Sequence, residues 1–104
     1  MSFRRRRFGA LIDRQLALWA EEHAGFLRDV DAAERAYDGA ERDQAEERYG
    51  DYLDLVETGT ELLASLRDSY AATLEDETAA TYEAEFNREV ARRWPGFGLE
   101  IQER

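Results

Sequence analysis

The sequence predicts an all-α protein, a long antiparallel helical hairpin with coiled-coil-like packing followed by a shorter third helix. Two apolar series fill most of the chain, and both alternate steps of four and three residues. This spacing keeps one face of a helix turned toward a partner helix. A glycine separates the series and the only proline is Pro95, so we expect one turn between two long helices.

The first series predicts helix 1 over residues 8–37. Its members are Ile12, Leu16, Trp19, His23, Phe26, Val30, Ala33 and Tyr37. Asp38 and Gly39 follow directly, and glycine just past the last apolar position is a common way for a helix to end. The turn of the hairpin is therefore placed near Gly39.

The second series predicts helix 2 over residues 41–74. Its members are Ala45, Tyr49, Tyr52, Val56, Gly59, Leu63, Leu66, Tyr70 and Thr73. Glycine inside a helix costs about 0.5–1 kcal/mol relative to alanine, so Gly59 needs a reason. With the turn near residues 39–41, Gly59 lies opposite Trp19–His23 and leaves room for Trp19. The alternative is a break in helix 2 at residues 58–60.

Helix 3 is predicted over residues 77–94, with Asp76 as its N-cap. Its apolar stripe is Tyr82, Phe86, Val90 and Trp94. Pro95 and Gly96 end it, because proline disfavours helical geometry at the preceding residue. Residues 1–7 form a basic arm, which we expect to be disordered or to pair with acidic surface on a neighbouring subunit. Residues 95–104 form a tail.

Composition narrows the function classes. The 104 residues indicate one domain, and the absence of cysteine excludes disulfides, thiolate metal sites and cysteine catalysis. No run approaches the roughly 18 apolar residues of a membrane span, and no secretory signal is recognisable, so we expect a cytoplasmic protein without a membrane partner. The net charge of −10 disfavours nucleic acid and anionic lipid, and it favours a basic protein partner, cations or simply solubility.

A single chain would not bury the whole apolar face of this predicted hairpin. Helices 1 and 2 would each be roughly 45–50 Å long and helix 3 only about 25 Å, so helix 3 leaves the distal half bare. The simplest remedy is a homodimer in which two hairpins form a four-helix bundle. The predicted interface is Phe26, Val30, Tyr37, Tyr49, Tyr52, Leu53 and Leu55. The alternative is a three-helix monomer with a shorter hairpin.

Two charged features are candidate binding surfaces. An acidic column on the outer face of helix 2 comprises Glu47, Asp54, Glu61, Asp68 and Glu75. It suits a basic peptide or a cation, or is simply the solvated face of a long helix. The arm residues Arg4, Arg5, Arg6 and Arg7 are a possible anion-contacting segment. Four positive charges ahead of an acidic chain make a poor nucleic-acid footprint, which normally spreads over a face.

A metal site is the alternative function. Asp51, Asp54, Glu57 and Glu61 resemble the carboxylate clusters that hold magnesium in all-α nucleotide pyrophosphatases, which would imply a divalent-metal-binding protein or a metal-dependent hydrolase. These residues lie outside the apolar seam, and no second cluster faces them.

Other chemistry finds little support in the sequence. A di-iron site would need Glu-x-x-His, but position 20 before His23 is alanine. We assign no catalytic residue, cofactor or metal ligand, and the leading interpretation is a non-enzymatic helical interaction or scaffold protein.

Overall fold

A computed structural model describes residues 6–104, and the predicted all-α class is confirmed for this part of the chain. The helices are α1 (Gly9–Glu22), α2 (Ala24–Asp38), α3 (Ala45–Ala71), α4 (Asp76–Arg93) and α5 (Gly98–Gln102), with a 3₁₀ turn at Pro95–Phe97 before α5. The helices pack against one another, α2 on α3, α1 on α4, and α4 and α5 on α3.

The single helix predicted over residues 8–37 is instead two helices that meet at His23. The backbone there leaves helical geometry, with φ −114° and ψ 27°. The His23 N–H still donates to the Trp19 carbonyl at 2.9 Å, and His23 Nδ1 lies 2.9 Å from the same oxygen. The imidazole also stacks on the Trp19 indole, with 4.8 Å between ring centroids. These contacts stabilise a bend at His23. Because of the bend, α1 packs on α4 while α2 packs on α3.

Other helix boundaries lie close to the predicted ones. α3 begins at Ala45 rather than near residue 41, and it continues through residues 58–60 without the break considered as an alternative. α4 begins at Asp76, so this residue belongs to the first turn, and Glu75 holds the N-cap position. The predicted tail folds as the 3₁₀ turn and α5.

α2 and α3 run antiparallel, with a register that differs from the predicted one. Near the turn, Tyr37 and Tyr49 have ring centroids 5.0 Å apart. Farther along, an added Cβ on Gly59 would lie 3.0 Å from Phe26 and 2.8 Å from Phe97. Gly59 therefore makes room for these two rings and not for Trp19, because the longer turn shifts α3 against α2.

The hydrophobic core lies at one end of the molecule, which we call the body: α1, residues 56–71 of α3, α4 and residues 95–102. Buried apolar residues from each of these segments contact one another, including Ile12, Leu16, Trp19, Val56, Leu63, Tyr82, Phe86, Val90, Phe97 and Ile101. The predicted α4 stripe supplies three of them. The core thus joins residues from both ends of the sequence.

Residues 24–55, which we call the hairpin, contain no buried residue. They comprise α2, the turn and the first part of α3. Their apolar side chains are half-buried or exposed, and the described part of the chain is elongated, with extents of 49 × 34 × 24 Å. The hairpin therefore presents apolar surface that this chain alone covers only in part.

Candidate interaction surface

The residues predicted to form a dimer interface fall into two groups. Tyr37, Tyr49 and Leu53 are exposed, with 36%, 43% and 39% of their surface accessible. Phe26, Val30, Tyr52 and Leu55 are half-buried. Within the second group, Val30 and Tyr52 line the same cavity as Pro95 and Phe97, and Phe26 lies beside Gly59 together with Phe97.

We call Tyr37, Tyr49 and Leu53 the tip patch. The two tyrosine rings contact each other at an interplanar angle of 46°. Tyr49 and Leu53 are four residues apart on α3, so they lie on the same face one helical turn apart. Tyrosine is enriched among the residues that dominate the binding energy of protein–protein contacts.

A second feature, which we call the groove, lies between the hairpin and the Pro95–Phe97 turn. Its volume is about 420 Å³, and one side is open to solvent. The apolar part of its lining comprises Leu27, Val30, Tyr52, Trp94, Pro95 and Phe97. A volume of this order can accept one bulky side chain or a small ligand.

Two glycines fix the walls of the groove. A Cβ on Gly96 would lie 2.5 Å from the Tyr52 hydroxyl oxygen, so glycine lets the turn approach this hydroxyl closely and a larger residue would require Tyr52 to shift. Gly59 does the same for Phe97, whose ring is almost fully buried beside α3. Pro95 restrains the turn further. The groove is therefore formed by close packing of the turn on α3.

The charged residues along the groove are not equivalent. Arg93 lines it, but its guanidinium pairs with Asp13 at 3.0 Å and with Glu89 at 3.1 Å. Asp31 and Glu34 lie on exposed positions of α2. The Tyr52 hydroxyl donates to Glu34 at 3.3 Å. The open rim of the groove is accordingly negative.

Titration of Tyr52 reflects this setting. Burial raises the pKa of its hydroxyl above the ordinary value of 10.0, and the negative charge of Glu34 raises it further. The hydroxyl thus remains a hydrogen-bond donor at physiological pH, and its bond helps to place Glu34 at the rim.

The predicted acidic column is fully on the surface. All of its members are exposed: Glu47, Asp54, Glu61, Asp68 and Glu75. Glu61 lies 3.9 Å from Arg104, and Asp68 accepts a 2.9 Å bond from the buried Arg67. The column is accessible, and its use as a binding face stays a prediction.

The basic arm is only partly within the structure. Arg4 and Arg5 lie outside the described residues, whereas Arg6 forms ion pairs with Glu89 at 3.0 Å and Asp13 at 3.3 Å. The Arg7 guanidinium lies 5.6 Å from the centre of the Phe8 ring. The carboxylates that Arg6 contacts belong to its own chain, so this part of the arm contributes to the body.

Two buried carboxylates of α4 hold the start of α1, and the sequence reasoning missed them. Glu85 accepts the backbone N–H groups of Arg7 at 3.1 Å and Phe8 at 2.9 Å, so it satisfies donors at the helix N-terminus from another helix. Glu89 is bonded to Arg92 and Arg93, and the Arg92 hydrogen bonds lower its pKa to about 2. The available signal was the i to i+3 and i+4 spacing of Glu89 with these arginines.

The carboxylates considered for a metal do not converge. Asp51, Asp54, Glu57 and Glu61 are all exposed along α3. Across residues 6–104, no group of three or more histidine, cysteine, aspartate or glutamate side chains is arranged to hold a metal ion. His23 is engaged with Trp19 at the bend.

No known protein family matches this chain, and no curated protein or solved structure is significantly similar to it. Within the helices described above, none is long and apolar enough to cross a membrane.

Proposed function

We propose that the protein is a non-enzymatic helical interaction protein that self-associates through its hairpin. The observation that carries the proposal is the absence of any buried residue over positions 24–55, although this segment keeps the apolar periodicity of a packed helix pair. Soluble monomers rarely leave extended apolar faces uncovered. A second copy of the chain is a partner that supplies the same face.

Dimer symmetry fits this surface. In an isologous dimer the same patch meets itself, so one compact cluster on each hairpin serves both subunits. The tip patch supplies two tyrosines and a leucine on neighbouring turns, and the two hairpins together would provide the four helices of a bundle. The interface would then be centred on Tyr49 and Leu53.

Light scattering on a sizing column tests this proposal with a matched pair of variants. We expect a dimer mass for the wild-type protein, independent of salt because the contact is apolar. Tyr49→Ser combined with Leu53→Ser should give a monomer. Leu99→Ser is the control, since Leu99 is 80% exposed but lies on α5 outside the hairpin, and it should remain a dimer.

The outcomes are distinct. A wild-type protein that is monomeric at all concentrations contradicts self-association. A dimer that survives in the Tyr49→Ser, Leu53→Ser variant but is lost in Leu99→Ser would place the interface on α5 instead.

A further inference from the structure

We infer that the groove binds a basic segment of a partner protein, with one bulky apolar side chain inserted between the hairpin and the Pro95–Phe97 turn. Basic residues on either side of that anchor would pair with carboxylates of α2. This inference goes beyond self-association. The groove and the tip patch use different side chains, but Val30 and Tyr52 of the groove also belong to the predicted dimer interface, so the inference is tested on a monomeric variant as well.

Shape is the first argument. The groove has apolar walls on three sides, from Val30 on α2, Tyr52 on α3 and Phe97 in the turn. The close approach of Gly96 to Tyr52 and of Gly59 to Phe97 brings these walls together without a ligand. A preformed apolar groove binds a side chain at little cost in ordering the protein.

Charge is the second argument. Arg93 is the one basic residue in the described lining, and its charge is already matched by Asp13 and Glu89. Asp31 and Glu34 are therefore the charges that an incoming segment meets. They are three residues apart on α2 and so lie on the same side of the helix.

Both rim carboxylates, Asp31 and Glu34, are accessible for pairing with basic residues of a partner. Asp31 pairs with Arg35 one turn away, but both side chains are more than half exposed, and exposed pairs of this type exchange readily. Glu34 accepts one long bond, from Tyr52, and a carboxylate has room for several donors. With a net charge of −10 on the chain, long-range attraction also favours a basic partner.

Calorimetric titration tests the inference with a defined probe, the acetylated and amidated peptide Arg-Arg-Phe-Arg. We expect saturable binding to the full-length protein. Replacing the phenylalanine of the peptide by alanine should remove most of the affinity, and replacing its arginines by glutamates should abolish binding.

A charge-matched pair of variants locates the contact. Asp31→Asn with Glu34→Gln removes the rim charges, and Glu47→Gln with Asp54→Asn removes the same charges from the exposed column of α3. The rim variant should weaken binding roughly threefold to tenfold, the sum of two exposed ion pairs. The column variant should change it by less than about twofold, since its exposed charges lie outside the groove lining and are screened by salt.

Three results would overturn the inference. Equal weakening in both variants would mean that only net charge matters. Failure of the wild-type protein to bind the peptide would remove the groove as a peptide site.

The third result concerns Phe3, Arg4 and Arg5, which lie outside the described residues. Like the probe peptide, they combine an aromatic side chain with arginines. If replacing all three by alanine tightens peptide binding about tenfold or more, the occupant is this chain's own arm. Repeating the titration on the Tyr49→Ser, Leu53→Ser variant separates the inference from the proposed function, because the groove of a monomer should bind the peptide.

Discussion

The helices of the body and of the hairpin have the same spacing of apolar residues, but the two regions differ in what packs against these residues. In the body, apolar positions of α1, α3 and α4 meet one another and the C-terminal turn, and side chains such as Ile12, Leu63 and Phe86 are completely buried. In the hairpin, the same spacing on α2 and the start of α3 leaves every residue at least partly accessible. Periodicity therefore identifies the face of a helix that packs, but not the partner that covers it.

Polar groups differ between the two regions in the same way. In the body, the buried Arg67 donates to Asn87 at 2.9 Å and to the Ile101 carbonyl at 3.1 Å, so one side chain joins α3, α4 and α5. Ion pairs of the hairpin, such as Arg48 with Asp51, lie in solvent. Exposed pairs contribute little to folding stability, and we expect stability to reside in the body.

The largest expected effect on stability comes from truncating a core side chain. Phe86→Ala should lower the free energy of unfolding by about 3–5 kcal/mol, because the ring is fully buried and leaves a cavity. Tyr49→Ala in the hairpin should cost less than about 1 kcal/mol at a dilution where the protein is monomeric. Urea denaturation followed by circular dichroism measures both. Similar costs would mean that the hairpin has a core of its own.

Acid should weaken the body through protonation of Glu89. Glu89 has an ordinary pKa of 4.5 and a folded-state pKa of about 2, lowered mainly by hydrogen bonds from Arg92. Its stabilising contribution is complete above pH 4.5 and is lost as the pH falls toward 2, by on the order of 2–3 kcal/mol.

Denaturation series at several pH values measure this loss. Glu89→Gln should be less stable than the wild-type protein at neutral pH and should lose less stability between pH 4.5 and 2. Glu47→Gln, on the exposed face of α3, is the charge-matched control variant. A Glu89→Gln protein with the full acid loss would assign that loss to other carboxylates.

Substitution of two glycines of α3 compares the two regions within one helix, since Gly59 lies in the body and Gly50 in the hairpin. Gly59→Ala should destabilise by about 1–3 kcal/mol, because the new Cβ would lie 2.8 Å from the buried Phe97 ring. Gly50→Ala should stabilise by about 0.5–1 kcal/mol, since nothing lies within 4 Å and alanine favours the helix. Thermal melting gives both signs, and a stabilising Gly59→Ala would show that Phe97 is not packed on α3 as described.

Sequence reasoning accounts for the helices better than for their arrangement. The stripe of Tyr82, Phe86 and Val90 follows from spacing alone, and all three are buried. The bend at His23 does not follow, because the apolar series runs through it without interruption. It depends on bonding between His23 and Trp19 and on α4 being available to α1, which are tertiary features.

The groove was beyond prediction for a similar reason. One wall of the groove is the Pro95–Phe97 turn, and at these residues the sequence indicates only the end of a helix. That Phe97 reaches Gly59, and that Gly96 meets Tyr52, depends on the register between segments more than thirty residues apart. The exposed tip patch, in contrast, was among the interface residues predicted from helix length.

Amide hydrogen exchange at low and high protein concentration tests most directly whether the hairpin is completed by a second copy of the chain. We expect slow, concentration-independent exchange in buried segments of the body such as α4. We expect protection over residues 45–55 to rise as concentration rises. Equal exchange of this segment at both concentrations, in a protein that scatters as a monomer, would contradict self-association through the hairpin.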